Sequence, residues 1–266
     1  MSAAVRALTS AILTYPSTTN AKTGDVPSVA VGTQAARVES CSACTLRPKA
    51  EGGDGRCYAR RAFRSVEAGV QVGERAYEAG RKVGFFVGLE GFVAALQQRA
   101  LSARIVRFGS VGDPAYWTPE EWTFMRGATL GAGLTPICYT SRWREPVAAH
   151  LRGQSMASTT SPEEAAEAVN AGWQATTVLP WDHPRDEARF TIPGHGAIGV
   201  VCPEQRRKVE SCNVCRLCDG TRTIGNPRLP PVVVGFIDHS SSGNARRNAA
   251  AARKINDNNN APQGQE

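Results

Sequence analysis

Eight cysteines in a chain of 266 residues constrain this sequence more than any other feature. Seven of them fall into two tight groups, and only Cys138 stands apart. Disulfide frameworks are typical of small secreted chains, whereas closely spaced cysteines in a reducing compartment are typical of metal or iron–sulfur binding. We therefore predict that both groups are metal ligands.

The first group consists of Cys41, Cys44 and Cys57, with two and then twelve residues between successive cysteines. Three thiolates can hold three irons of a 4Fe–4S cluster and leave the fourth iron open to a small molecule. S-adenosylmethionine can occupy such a position through its amino and carboxylate groups. With a fourth protein ligand the same three cysteines would make a zinc site, so the spacing leaves both metals open.

The second group begins at Cys202, which precedes a proline, and continues with Cys212, Cys215 and Cys218. Ligands three residues apart with a remote Cys-Pro resemble the cluster loop of bacterial ferredoxins, although there the Cys-Pro follows the triplet. Four cysteines make a closed site that suits a structural or electron-transfer role, and zinc is again the alternative. The spacing does not decide whether the two groups form one site or two.

Apolar runs alternate with helical segments through the second half of the chain. Thr118 and Ser161 each open a capping-box pattern with proline at the first helical position, and further helices are predicted over 61–84 and 90–101. The predicted strands are 104–108, 135–139, 154–158, 175–179, 197–201 and 232–237. This α/β alternation predicts a complete or partial β/α (TIM-like) barrel with cysteine-rich loops, and the alternative is a doubly wound sheet.

The same patterns divide the chain into three parts. Turn-forming residues predict an irregular N-terminal segment over 1–40, and the barrel-like domain follows over 41–239 with cysteine-rich insertions at 41–60 and 202–218. Residues 240–266 combine serine, alanine and asparagine runs with interspersed arginines, which predicts a disordered basic tail.

Catalytic chemistry in either architecture lies at the carboxyl ends of the strands. There we predict cofactor-binding residues after the first two strands and a catalytic pair after the last: Gly112, Asp113, Ser141 and Arg142, then Asp238 and His239. An acidic side chain at a strand end is suited to binding an ammonium group, and arginine to binding a carboxylate or phosphate.

Other reactive or aromatic residues are predicted to have structural roles. Cys138 lies in an apolar run and is predicted to be a buried hydrophobic residue. His150 and His183 are predicted to lie at the surface or in loops. Tyr139 and Trp181 are predicted to close the mouth of the barrel.

Composition bounds the classes of partner. The net charge of +7 permits contact with nucleic acid, but no basic stripe with interleaved aromatic residues is visible. No apolar run reaches the roughly 20 residues that a membrane-spanning helix needs, and the N-terminus is a poor signal peptide. We expect a soluble, cytoplasmic protein without a membrane partner.

Four segments together resemble the phage "gene product 88" domain family. These are a Gly-Asp-x-Pro-Ser segment at 24–28, a CxxC group ending in Cys-Tyr-Ala at 41–59, a strand running into Gly-Asp at 108–113, and a late CP…CxxCxxC at 202–218. The resemblance spans most of residues 22–239. It implies a phage-encoded protein located in the cytoplasm of the host cell.

That family is in turn distantly similar to radical S-adenosylmethionine proteins, which have a partial β/α barrel and a usual cluster spacing of CxxxCxxC. Gly112-Asp113-Pro114 is similar to the Gly-Gly-Glu-Pro segment that receives the methionine amino group in that superfamily. The resemblance implies one or two 4Fe–4S clusters, S-adenosylmethionine, an electron donor, and a nucleotide, nucleic acid or peptide as substrate.

Two other interpretations remain open. One is a zinc-stabilised, non-catalytic module that binds nucleic acid or a host protein. The other is a catalytic barrel that uses Asp238 and His239, with all seven grouped cysteines binding structural metals.

Overall fold

Short strands and helices alternate along most of the chain in the computed structural model. It describes residues 12–20, 24–31, 38–42, 44, 47, 49, 52–53, 86–195, 197–221 and 231–238. The strands are β1 (Ile12–Asn20), β2 (Gly24–Val31), β3 (Phe86–Val87), β4 (Ile105–Phe108), β5 (Thr135–Ile137), β6 (Tyr139–Thr140), β7 (Met156–Ser158), β8 (Gln174–Leu179), β9 (Arg189–Phe190), β10 (Ile198–Val201) and β11 (Val232–Ile237). The helices are α1 (Gly88–Gln97), α2 (Pro119–Gly131), α3 (Pro162–Asn170) and α4 (Cys212–Cys215), with 3₁₀ helices at Pro114–Tyr116 and Pro146–Leu151.

The strands form two mixed sheets, ordered β3-β1-β2-β4-β5 and β6-β7-β8-β11-β10-β9. Parallel pairs are β2–β4, β4–β5, β6–β7, β7–β8, β8–β11 and β10–β11. Antiparallel pairs are β1–β2, β1–β3 and β9–β10. The predicted α/β class is therefore confirmed. Within the described residues no ladder closes the strands into a barrel, and the open sheets are consistent with the doubly wound alternative.

The two sheets meet at Cys138, the single residue between β5 and β6. β5 pairs with β4, and β6 pairs with β7. The carbonyl of Cys138 accepts a hydrogen bond of 3.0 Å from the N–H of Met156. Cys138 is fully buried in the core, which confirms its predicted role as a buried hydrophobic residue.

Alternate residues of the strands enter two different cores. One core holds the buried side chains of α1, α2 and α3 together with Val106, Ala157, Ala175 and Val233. The neighbouring strand residues enter the other core with two cysteines, and its members are Val26, Ile105, Ile137, Met156, Val232, Val234, Cys202 and Cys218. We call the side of the strands that carries this second core the cysteine face. Burial of each large apolar side chain contributes roughly 1.5–3 kcal/mol on either side.

Helices α2 and α3 begin at the predicted positions. Thr118 Oγ1 accepts from Glu121 N at 3.2 Å, and the Glu121 carboxylate accepts from Thr118 N at 2.9 Å, which completes the capping box. Ser161 Oγ accepts from Glu164 N at 3.2 Å, but the Glu164 carboxylate accepts from Thr160 N instead. Local signals therefore position both helix N-termini.

The prediction of an irregular segment over 1–40 is wrong for residues 12–20 and 24–31, which form strands. β1 and β2 pair antiparallel, and the register shifts between Tyr15 and Thr18. Pro16 and Pro27 both lie at this irregularity, where the ladder does not need their missing N–H groups. From the sequence alone the prolines predict turns. In the structure they lie where the pairing of β1 with β2 is interrupted. The two-residue strand β9 was not predicted.

Several predicted features lie outside the described residues. These are the helix over 61–84, the third cysteine of the first group (Cys57), the last strand-end residue (His239) and the tail over 240–266. In the part of the chain that the structure describes, no helix has the length and apolar character needed to cross a membrane.

His150 lies in the 3₁₀ helix Pro146–Leu151 and is half-buried, and its buried Nε2 atom has no hydrogen-bond partner among the residues that the structure describes. Burial lowers its pKa, so at pH 5.5 the unfolded chain binds a proton that the folded chain resists. We expect stability to fall between pH 7.5 and 5.5, and His150→Gln to make that fall smaller. Urea unfolding at both pH values measures the free energy of unfolding of the wild type and of His150→Gln. An identical pH dependence in the two proteins would contradict the role of His150.

Candidate metal centre

The second cysteine group, which we call the late group, lines one small cavity on the cysteine face. Its four members are Cys202, Cys212, Cys215 and Cys218. Cys202 and Cys218 are buried, and Cys212 and Cys215 are half-buried. Apolar side chains complete much of the wall, among them Ile137, Val234 and Phe236. The structure therefore brings together four residues that the sequence predicts to share a site, across a span of 17 positions from 202 to 218.

Two local turns place these cysteines. Cys202 follows β10, where its N–H donates to Gly235 O at 2.8 Å and its carbonyl accepts from Arg206 N at 3.1 Å. The short helix α4 then ends at Arg216, whose φ of 52° is left-handed. A left-handed residue reverses the chain direction after a helix. This reversal returns the chain toward the cavity, so that Cys218 lines the same wall as Cys212.

Asn213 hydrogen-bonds the loop that carries Cys212, Cys215 and Cys218, which we call the cysteine loop, to the residues just before β4. Its Oδ1 atom accepts from Arg104 N at 2.6 Å, and its Nδ2 atom donates to Ser102 O at 2.9 Å. Gly220 packs so closely on Ser155 that a Cβ atom there would lie 2.8 Å from the Ser155 backbone. The loop is thus held at two places on residues that immediately precede β4 and β7.

Gln205 fastens the segment after Cys202 to the end of β11. Its Nε2 atom donates to Ile237 O at 3.1 Å, and its Oε1 atom accepts from Ile237 N at 2.8 Å. The next residue, Asp238, donates its N–H to Leu179 O at 3.0 Å, which places it at the carboxyl ends of β8 and β11. The predicted candidate Asp238 therefore lies at the expected edge of the sheet.

Tyr139 packs in the same core as Cys202, Cys212 and Cys218. Burial raises the pKa of Tyr139 well above its ordinary value, and the Cys218 and Cys212 thiolates raise it further. Burial also raises the pKa of the Cys218 thiol, and the other three cysteines act in the same direction. A cation in the cavity would reverse this effect, because metal coordination deprotonates thiols.

The chemistry of the donor set fits a thiolate-bound metal centre. Four cysteines line one small, largely apolar cavity, and thiolates are the ligands that zinc and iron–sulfur clusters share. As the side chains stand, no three His, Cys, Asp or Glu residues among those described form a group that could hold a metal ion.

Asp113 is the centre of a second cluster of predicted site residues. It is only 5% exposed. Its Oδ1 atom accepts from Ala115 N at 2.9 Å and Thr140 Oγ1 at 2.7 Å, and its Oδ2 atom accepts from Ser141 N at 2.6 Å and Ser141 Oγ at 2.8 Å. Burial raises the pKa of Asp113, and these four hydrogen bonds oppose that rise. A carboxylate has about four acceptor sites, so Asp113 is fully used in joining the end of β4 to the end of β6.

The first cysteine group reaches this cluster through Ser40. The Ser40 Oγ atom accepts from Asp113 N at 3.1 Å and lies 3.7 Å from Cys41 Sγ. Cys44 N donates to Cys41 O at 3.0 Å, which closes a turn between the two cysteines. Ser40 thus links Cys41 to Asp113, and the turn holds Cys44 close to Cys41.

Gly112 is required by this close packing. Its φ is +80°, a conformation that side-chain-bearing residues rarely adopt. A Cβ atom at Gly112 would lie 2.5 Å from Val31 Cβ and 3.0 Å from Ser40 Oγ. The glycine therefore lets the strand end, the neighbouring strand and the Cys41 segment approach one another.

Ser141 and Arg142 also lie at this edge, where both already have partners within the chain. The Ser141 hydroxyl and N–H bond Asp113, and the Arg142 Nε and Nη2 atoms donate to Glu145 at 2.9 Å and 2.6 Å. Arg142 N donates to Thr140 Oγ1 at 3.1 Å. The roles of these residues in cofactor binding remain predictions.

Sequence reasoning did not identify Ser40, Gln205 or Asn213 as positioning residues, and it assigned Tyr139 only to closing the barrel mouth. Asn213 bonds Ser102 and Arg104, which lie about a hundred positions away. Ser40 bonds Asp113 across a separation of 73 positions. No local sequence pattern predicts such distant partners. A serine or asparagine that makes a long-range hydrogen bond looks the same in the sequence as one that does not.

Comparisons of the chain with protein-family models, with curated proteins and with solved structures found no match.

Proposed function

We infer that this chain is a phage-type iron–sulfur protein, similar to radical S-adenosylmethionine enzymes, that modifies a nucleotide, a nucleic acid or a peptide. The observation that carries the proposal is the convergence of Cys202, Cys212, Cys215 and Cys218 on one cavity. Four thiols in largely apolar surroundings suit a closed 4Fe–4S site, whose potential depends on burial and on hydrogen bonds to its sulfurs.

A second, open cluster is proposed at Cys41 and Cys44 with Cys57. The juxtaposition of Cys41 and Ser40 with Asp113 supports it. When bound there, S-adenosylmethionine and a reduced cluster supply a carbon-centred radical that abstracts hydrogen from a substrate. The open fourth iron position is what distinguishes this centre from the closed late site.

The chain's own residues would receive and orient that small molecule. The Gly112–Asp113 turn, Ser141 and Arg142 meet at one strand edge and form the proposed cofactor-binding surface. Asp113 acts in it by fixing Ser40 and Ser141. Asp238 lies at the carboxyl end of β11, and with His239 it is proposed to hold or move a proton during the reaction.

The finer fold is proposed to be a partial β/α barrel. A nearly continuous parallel run, β2-β4-β5 and then β6-β7-β8-β11-β10, supports it, with Cys138 at the joint. Helices α1 to α3 contribute to one core, and the cysteine loop to the other. In a partial barrel the cysteine face would be the inner side.

The partners that follow are an electron donor and a small-molecule or nucleic-acid substrate, in the cytoplasm of the host cell. Half-buried Cys212 and Cys215 support electron exchange, because their cluster would lie near the surface. The net charge of +7 supports contact with a polyanion.

A zinc-stabilised, non-catalytic module that binds nucleic acid or a host protein is the second candidate. The observation that favours it is the same closed set of four thiols, which also matches a structural zinc site with tetrahedral geometry. In that case the cysteine loop would fold with the metal and take no part in a reaction.

Metal analysis of protein purified without oxygen tests the proposal. We expect about four iron and four sulfide per cluster, with a broad absorbance near about 400 nm that bleaches on reduction. Reductive cleavage of S-adenosylmethionine should follow in the wild type and be lost in Cys41→Ser. Zinc in place of iron would reject the iron–sulfur proposal in favour of the binding module.

A further inference from the structure

We propose that the exposed surface beside the cysteine loop is the docking site of a small acidic electron-carrier protein, which supplies electrons to the cluster at the late cysteines. This surface, which we call the donor surface, consists of Leu101, Arg104, Val214 and Arg216, all of them exposed. The inference rests on the proposed iron–sulfur function and deepens it, because it names the kind of partner that delivers electrons and the place where that partner binds.

The hydrogen bonds of Asn213 bring the two halves of the donor surface together. Its Nδ2 atom donates to Ser102 O at 2.9 Å, and its Oδ1 atom accepts from Arg104 N at 2.6 Å. Leu101 directly precedes Ser102, and Val214 directly follows Asn213. The residues just before β4 and the short helix α4 therefore lie side by side, although they are distant in the sequence.

The centre of the donor surface is apolar. Leu101 is 94% exposed and Val214 is 60% exposed, which makes them the two most exposed large apolar side chains in the part of the chain that the structure describes. Exposed apolar side chains that occur together on a surface indicate an interaction site. A patch of this small extent fits the interfaces of electron-transfer complexes, which are at the low end of interface size.

The charge around this centre selects an acidic partner. Segments 97–108 and 211–218 contain four arginines and no aspartate or glutamate. Two of these arginines, Arg104 and Arg216, are exposed, and a guanidinium group keeps its charge at every physiological pH. The first acidic residue after the loop, Asp219, uses its carboxylate to accept a hydrogen bond of 2.9 Å from the N–H two residues later. The donor surface is therefore complementary to a partner that presents carboxylates.

The donor surface also lies next to the proposed late cluster. Val214 is part of α4 together with Cys212 and Cys215, which are half-buried and line the cavity. Arg216, at the end of the same helix, lines the cavity as well. A partner that covers Val214 and Arg216 would therefore contact the four-residue helix that carries two of the proposed ligands. Its redox group would then be close enough for electrons to reach the late cluster.

Stopped-flow oxidation of reduced flavodoxin, a small acidic electron carrier, tests the charge of the donor surface. Each flavodoxin loses one electron and the oxidised cluster gains it, in a Cys41→Ser/Cys44→Ser background that leaves only the late cluster. Arg104→Glu should lower the second-order rate constant about tenfold at low ionic strength, and added salt should reduce the difference by screening the charges. Arg152→Glu is the matched control, because it changes the net charge equally at an exposed arginine that lies over the Trp173 ring instead, and its rate should stay near that of the wild type.

The double variant Leu101→Ser/Val214→Ser tests the apolar centre. We expect the dissociation constant of oxidised flavodoxin, measured by calorimetry, to rise about fivefold, because central interface residues carry most of the binding energy. Phe124→Ser/Leu130→Ser is the matched control, since it removes two exposed apolar side chains from α2 and should leave the dissociation constant unchanged. Reduced methyl viologen, a small molecule that needs no docking site, should reduce the cluster equally fast in all variants.

Three results would overturn the docking site and leave the proposed function standing. One is an unchanged flavodoxin rate and affinity in both donor-surface variants, with normal reduction by methyl viologen. Another is a wild-type cluster that methyl viologen reduces and flavodoxin does not. The third is a loss of affinity for a single-stranded oligonucleotide in place of flavodoxin, which would assign the surface to a nucleic-acid substrate. Wild-type protein without iron would overturn both the docking site and the proposed function.

Discussion

Replacing Asp113 with asparagine should lower the free energy of unfolding by about 2–4 kcal/mol. The carboxylate accepts four hydrogen bonds, two on each oxygen. Asparagine offers one acceptor oxygen, so its NH₂ group must face donors such as the N–H of Ser141 or Ala115. A buried backbone N–H cannot rotate away, and it would lose its partner.

Urea unfolding monitored by tryptophan fluorescence measures this loss. Trp117 and Trp122 are both buried in the core that holds the side chains of α1, α2 and α3, which we call the helix-side core. Asp182→Asn is the matched control, because Asp182 is exposed, and we expect its effect to stay within about 0.5 kcal/mol. Equal stabilities of the two variants would show that Asp113 does not hold the strand ends together.

Because Cys218 is a proposed ligand, replacing it with serine should prevent the proposed metal from binding to the late cysteines. The late cluster would lose a buried thiolate ligand, and we expect a loss of about four iron per chain with the corresponding visible absorbance. Because metal binding contributes directly to folding, unfolding should become easier by about 4 kcal/mol. For a chain of this size that lowers the melting temperature by about 10 °C.

Cys138→Ala is the control for this variant. Cys138 is as deeply buried as Cys218, but it lies in the helix-side core and away from the cavity. We expect full metal content and a stability loss of about 1 kcal/mol. Retention of all the iron by Cys218→Ser would exclude Cys218 as a ligand, and loss of iron by Cys138→Ala would show that core packing alone accounts for the effect.

Local chemistry made part of this structure predictable. The helix starts at Thr118 and Ser161 follow from hydrogen bonds between residues three positions apart, which any sequence window contains. The strands in the second half follow from apolar runs bounded by turn residues. The late cysteines lie within 17 positions of one another, and all four line one cavity.

Long-range contacts account for what the sequence could not predict. Pro16 and Pro27 indicate turns locally, and only the pairing of β1 with β2 makes room for them in a hairpin. The saturation of Asp113 depends on residues that follow a strand 28 positions later.

The hydrogen bond between Asn213 and Arg104 joins residues 109 positions apart. This separation affects the order in which parts of the chain fold. Contacts of such high sequence separation form late, because the entropy of closing the intervening chain must be overcome first. During synthesis β4 and β7 emerge before the cysteine loop, whereas β11, which also lines the cavity, emerges after it. Binding of the proposed metal at these cysteines should therefore be one of the last steps of folding, because the cavity needs strands from both sides of the loop.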